Sequence, residues 1–97
     1  MLFGKSTNIE EKVFLFVMNN PGIRFEKVLS EMKQFLPNDE DKKIRKKVAS
    51  AIKELEKKQL ITPHVSQDWQ LNQISSWYAV QTEESNVYYQ QLLEKYG

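Results

Sequence analysis

Ninety-seven residues carry 14 Lys and Arg against 13 Asp and Glu, a formal net charge of +1, with 40% hydrophobic and 28% charged side chains and no cysteine. That is enough chain for one modest core, and it excludes disulfides and thiol chemistry. The longest apolar run, "VFLFVM" at 13–18, falls well short of the roughly 20 residues that span a bilayer, and "MLFGKSTNIEE" has no long apolar stretch before a cleavage site, so a cytoplasmic protein with no membrane contact is expected.

"STNIEEKVFLFVMNNPG" predicts a first helix. Thr7 and Glu10 have capping-box spacing, and Asn19, Asn20, Pro21 and Gly22 stop it. Ile9, Val13, Phe16 and Val17 share one face, while Phe14, Leu15 and Met18 make the helix apolar nearly all round. Such a helix sits at the centre of a core or touches a second subunit as well.

"IRFEKVLSEMKQFLP" predicts a second helix. Phe25, Val28, Leu29, Met32 and Phe35 or Leu36 repeat at helical spacing. Arg24 stands where a capping oxygen is usual, and Pro37 ends the helix near Phe35.

The third helix, about 40–58, is expected to be capped by Asn38 or Asp39. Ile44, Val48, Ala51, Ile52 and Leu55 fall within about a 100° arc, the core side. Opposite lie Lys42, Lys46, Ala49, Ser50, Lys53 and Lys57, with Lys43 beside them and Arg45 and Lys47 on the flanks. Residues 42–58 hold eight cations against Glu54 and Glu56, so a helix with an excess of six positive charges sits on a body that is acidic by five. A local basic stripe is the electrostatic footprint of nucleic-acid binding. The plainer reading is a solvated lysine-rich face, supported locally by a Glu54–Lys58 pair.

From Leu60 the period changes. "LITPHVS" and "SSWYAVQ" are β-branched and aromatic and predict an antiparallel pair at about 60–66 and 75–81, joined by a long connection through "QDWQLNQI". Trp77 and Tyr78 should face opposite ways, Trp69 should cover a core edge in preference to stacking on a partner subunit or on sugar, and the single His64 should be structural. "TEESNVYYQQLLEKYG" predicts a closing helix capped by Thr82, with Tyr88, Tyr89, Leu92, Leu93 and Tyr96 as its apolar stripe.

The result is mainly α with a small β-hairpin (α+β). "NNPGIRFEKVLSEM" is similar to the start of the second helix in archaeal and bacterial winged-helix regulators. "KKVASAIKELEKKQLI" resembles a recognition helix running into the first wing strand, which in many relatives ends "Lys-Gly-Leu-Ile". "WYAVQTEES" resembles the returning wing strand and final helix of the MarR-, PadR- and penicillinase-repressor-like groups. The chain therefore resembles a winged helix-turn-helix protein: a three-helix core, a wing and a C-terminal helix. The resemblance implies a winged domain at 1–81 and a dimerising helix at 82–97. It implies a homodimeric transcriptional regulator, a repressor, that places the helix at about 40–58 in the major groove of double-stranded DNA.

On that reading Lys42, Lys43, Lys46 and Lys53 meet phosphate, and Arg45 and Ser50 bear on sequence preference. Gln70 and Asn72 of the wing act as neutral donors, and Tyr88, Leu92 and Tyr96 make the dimer contact. Three features depart from the pattern. Gln59 replaces the usual glycine at the end of the third helix, so the left-handed cap expected there must be made differently or not at all. "FLPNDED" is longer than a compact turn and sets Asp39, Glu40 and Asp41 at the tip. "SQDWQLNQIS" holds no Lys or Arg. The last two favour the alternative, a winged helix that contacts protein in a replication, partition or transcription assembly. One His, no Cys and scattered glycines offer no catalytic pattern, so no enzyme activity, cofactor, metal or small-molecule substrate is expected.

Overall fold

The computed structural model describes residues 8–96. Thr7, expected to cap the first helix, lies outside them. Asn8 caps α1 (Ile9–Asn19) instead: its side-chain oxygen accepts the Glu11 N–H at 3.2 Å. After α1 the chain turns at Gly22, whose φ of +81° suits glycine. A Cβ there would also lie 3.1 Å from the Tyr78 hydroxyl. The Gly22 N–H donates to the Trp77 carbonyl at 2.9 Å, which leads into a strand that the sequence does not announce. β1 (Ile23–Arg24) pairs antiparallel with β3, Ile23 opposite Trp77 and Arg24 opposite Ser76. Two residues are too few to show a period of two.

α2 (Phe25–Lys33) follows directly and buries Val28, Leu29 and Met32. It ends two residues short of the expected Phe35, because the N–H groups of Phe35 and Leu36 both close on the Met32 carbonyl. α3 (Asp41–Lys57) buries Ile44, Val48, Ala51, Ile52 and Leu55, the arc expected. Its cap position belongs to Glu40, which makes no side-chain capping bond, rather than to Asn38 or Asp39.

Despite lacking glycine, α3 ends in a complete left-handed cap. Gln59 takes φ +63°, its N–H reaches the Glu56 carbonyl, and the Leu60 N–H reaches the Leu55 carbonyl, both at 3.0 Å. Leu60 then packs against the core. A side chain in the left-handed region costs roughly 1–2 kcal/mol, partly offset for glycine by its greater unfolded-state entropy. Gln59→Gly is therefore expected to stabilise the protein by about 0.5–1 kcal/mol, raising the thermal midpoint by a few degrees in calorimetry.

β2 (Ile61–Gln67) and β3 (Gln73–Ala79) pair from Ile61 opposite Ala79 to Gln67 opposite Gln73, giving the sheet order β1-β3-β2. The connection is only 68–72, shorter than expected. Thr82 and Ser85 open α4 (Glu83–Tyr96) reciprocally, each hydroxyl accepting the other's N–H at 3.1 Å.

α4 folds back on α1 of its own chain. Leu92 is 2% exposed and belongs to the hydrophobic core cluster of the described residues. Tyr88 packs its ring on Phe14, centroids 4.9 Å apart. The Tyr96 hydroxyl and the Lys95 ammonium both donate to Glu11, and the Tyr89 hydroxyl donates to Asn19 at 2.8 Å. The second apolar face of α1 is thus covered within the subunit. Burial, with the nearby charges of Glu11 and Glu10, pushes the Tyr88 hydroxyl up to about 12. The neutral phenol therefore stabilises the fold below its ordinary pKa of 10.0, and that stabilisation is lost as pH rises from there towards 12.

Candidate nucleic-acid interface

Lys42, Lys43, Lys46, Ala49, Ser50 and Lys53 are all exposed on the outer side of α3. The cations of this helix fall into two groups. Lys47 pairs with Asp39 at 2.6 Å, Lys58 with Glu10, and Arg45 with Glu26 at 3.1 Å. Among the described residues, Lys42, Lys43, Lys46, Lys53 and Lys57 enter no ion pair. The Glu54–Lys58 pair expected from the spacing is not made; Lys58 turns to α1.

Several unpaired lysines stand one turn from another cation, Lys42 from Lys46 and Lys53 from Lys57. Like charges at that spacing cost about 0.2–0.5 kcal/mol per pair. A helix that carries this unfavourable clustering on one exposed face is suited to a polyanion. The acidic tip of the turn is also largely neutralised, since Asp39 is held by Lys47 and Asp41 by Lys33 at 3.2 Å. Only Glu40 of the three has no salt-bridge partner among the described residues.

The base of the hairpin is fastened to α3 by the Trp77 indole N–H, which donates to Glu56 at 2.8 Å. Trp77 is half-buried and Tyr78 exposed, as their alternation requires. Beside this bond Ala49 and Lys53 border a recess of about 220 Å³, lined also by Phe25, Ile52 and Trp77.

The tip is organised by Asp68. One carboxylate oxygen accepts the N–H of Gln70 at 2.8 Å and of Asn72 at 2.9 Å, and the other accepts the Asn72 side-chain amide at 3.4 Å. These bonds, that of the Asn72 N–H foremost, together with the charge of Arg24, hold the Asp68 carboxyl below its ordinary value. The Asn72 side chain is thereby turned towards Asp68, and Gln70 and Asn72 both remain exposed. Trp69 does not cover a core edge: it is 87% exposed, beside Leu71 at 73% and φ +64°. The tight turn aims both away from the body. His64 stands edge-on to the Tyr78 ring, and no cluster of metal-ligating side chains occurs among the described residues.

The roles of Glu26 and Glu56 carry no signal in the sequence. Both lie far along the chain from the residues they hold, and no local spacing marks either pair. Of the residues expected at a dimer contact, Leu92 lies in the core, and Tyr88 and Tyr96 are half-buried against α1.

No protein-family model matches the chain, and no curated protein matches its sequence. Among solved structures, the transcriptional regulator SlyA is similar over 89% of this chain and 51% of its own, with 27% identity and a TM-score of 0.58. A PadR-like transcriptional regulator from Bacillus cereus is similar over 92% of this chain and 81% of its own, with 8% identity and a TM-score of 0.66. This chain has the winged-helix fold of transcriptional regulators. It spans about half the length of SlyA. In that fold α3 occupies the position of the third helix and the β2–β3 hairpin that of the wing. No helix among the described residues is long and apolar enough to cross a membrane.

Proposed function

We propose that this winged helix binds double-stranded DNA as a homodimeric transcriptional regulator, a repressor, with α3 in the major groove. The observation that carries the reading is the exposed lysine strip on α3, in no ion pair among the described residues, opposite the core face of the helix that a winged-helix regulator uses for recognition. Lys42, Lys43, Lys46 and Lys53 neutralise phosphates. Arg45, Ala49 and Ser50 approach base edges, and Gln70 is the wing residue placed to donate a hydrogen bond. The wing supplies no cation, so backbone affinity comes almost entirely from α3. Dimerisation through α4 uses what remains open on that helix: Val87 and Leu93, which are exposed, with the accessible edges of Tyr88 and Tyr96. Leu92, enclosed in its own subunit, acts inside the monomer.

The test is fluorescence anisotropy on duplex DNA from the region upstream of the protein's own gene, at ~50 and ~200 mM salt. For a dimer placing two lysine strips on phosphate, affinity is expected to fall about 10³–10⁵-fold across that range. Absence of binding at the lower salt would make the strip a solvated face. A second reading, a winged helix that docks on protein, is favoured by one feature, the cation-free wing tip with Trp69 and Leu71 exposed. It is the reading left standing if duplex binding fails.

A further inference from the structure

Arg45 is the only guanidinium on α3. Lysine offers a compact point charge, whereas arginine presents a planar fork of donors that matches the O6 and N7 edge of guanine. Arg45 lies on the flank of α3 that faces α2, and there it is held by Glu26. Its Nη2 donates to both Glu26 oxygens, at 3.1 and 3.4 Å. No other side chain among the described residues bonds the guanidinium; the two Glu26 oxygens lie close enough together to share one Nη2 hydrogen, so the second Nη2 hydrogen remains to form a fork with a neighbouring nitrogen of the guanidinium.

The anchor of this pair is well placed. Glu26 sits in the first turn of α2, where the helix dipole favours a carboxylate. The strand just before it is pinned to β3 by the pairing of Ile23 with Trp77. Both side chains are more than half exposed, and an ion pair that open adds little stability. It does restrict a long side chain that would otherwise sample many rotamers. Preorganisation of that kind lowers the entropy lost when a planar contact forms.

We propose that Glu26 is a positioning residue: it holds Arg45 ready to read a guanine in the major groove, so that sequence preference arises from the Glu26–Arg45 pair while the lysines supply affinity. This rests on the reading that α3 enters the major groove. The pair also divides the helix's cations by task. The other two tethered ones, Lys47 and Lys58, are held by Asp39 and Glu10 instead of by α2.

The experiment selects duplexes from a randomised pool of about 20 base pairs with the wild-type chain, then measures Kd for the selected duplex and for each single G·C replacement. Wild type is expected to discriminate at one G·C position per half-site by about 10–100-fold. Glu26→Gln should reduce that to within about threefold. Its affinity for an unrelated duplex should be equal or higher, because a negative charge has been removed, and its salt dependence should be unchanged. Arg45→Lys should lose the same discrimination, and Glu26→Asp should retain part of it. Full discrimination by Glu26→Gln alongside loss in Arg45→Lys would overturn the positioning role alone. Full discrimination by Arg45→Lys would overturn the reading of guanine as well. If wild type binds no duplex, the major-groove reading fails first and this inference falls with it.

Discussion

Lys46→Glu combined with Lys53→Glu is expected to weaken duplex binding by at least about 100-fold while leaving the thermal midpoint within about 4 °C of wild type. Both side chains are exposed, neither is in an ion pair among the described residues, and neither touches the core. On the proposed reading the reversals remove two phosphate contacts and add two charges that repel the duplex. Within the helix they act in the opposite sense. Lys46 stands one turn from Lys42 and Lys53 one turn from Lys57, so each reversal converts a like-charge neighbour into an attractive one. Equilibrium anisotropy and a thermal melt on the same preparation separate the two effects. Retained binding would remove the lysine strip from any DNA interface.

Leu92→Asp is expected to abolish cooperative folding rather than to dissociate a dimer. Truncating a buried leucine to alanine already costs about 2–5 kcal/mol, and a carboxylate left unpaired in the same place adds its desolvation penalty. Together these approach the whole 5–15 kcal/mol that keeps a domain of ordinary stability folded. Near-ultraviolet circular dichroism should collapse, and the thermal transition should broaden or vanish. Val87→Asp is the control on the other side of the helix. Val87 is 51% exposed, so that variant should keep a cooperative thermal transition, lowered only by whatever stability a dimer contributes. If α4 makes the dimer contact through its outer face, Val87→Asp should shift the light-scattering mass to that of one 11.5 kDa chain. A Leu92→Asp protein with an unchanged melt would mean that α4 does not dock on α1 in solution.

The two experiments reflect how unevenly the chain reveals itself. The core face of α3 was legible because a helix of 17 residues repeats its period enough times to fix which side is apolar. The lysine strip was legible for the same reason, being the complement of that face. The wing was legible as two β-branched segments but not in its detail. Its turn is set by Asp68 accepting from Gln70 and Asn72, which draws the strands together two residues earlier than the polar stretch implies. The direction of Trp69 is illegible for a related reason: a tryptophan beside a hairpin resembles core cover until the turn geometry decides which way it points.

Winged-helix order, the apolar arc of α3 and the basic strip opposite it were determined by the sequence alone, because periodicity and local charge are properties of neighbouring residues. Only the tertiary structure decided which cations are free and which are held. The partners of Arg45, Lys47, Lys58 and Lys95 lie 8–84 residues away, and no local pattern encodes such pairings. It likewise decided that the aromatic stripe of α4 is answered by α1. The sequence supplies two apolar surfaces that need cover, and burial is non-directional, so a partner in the same chain and a partner in a second copy satisfy it equally until the chain is folded.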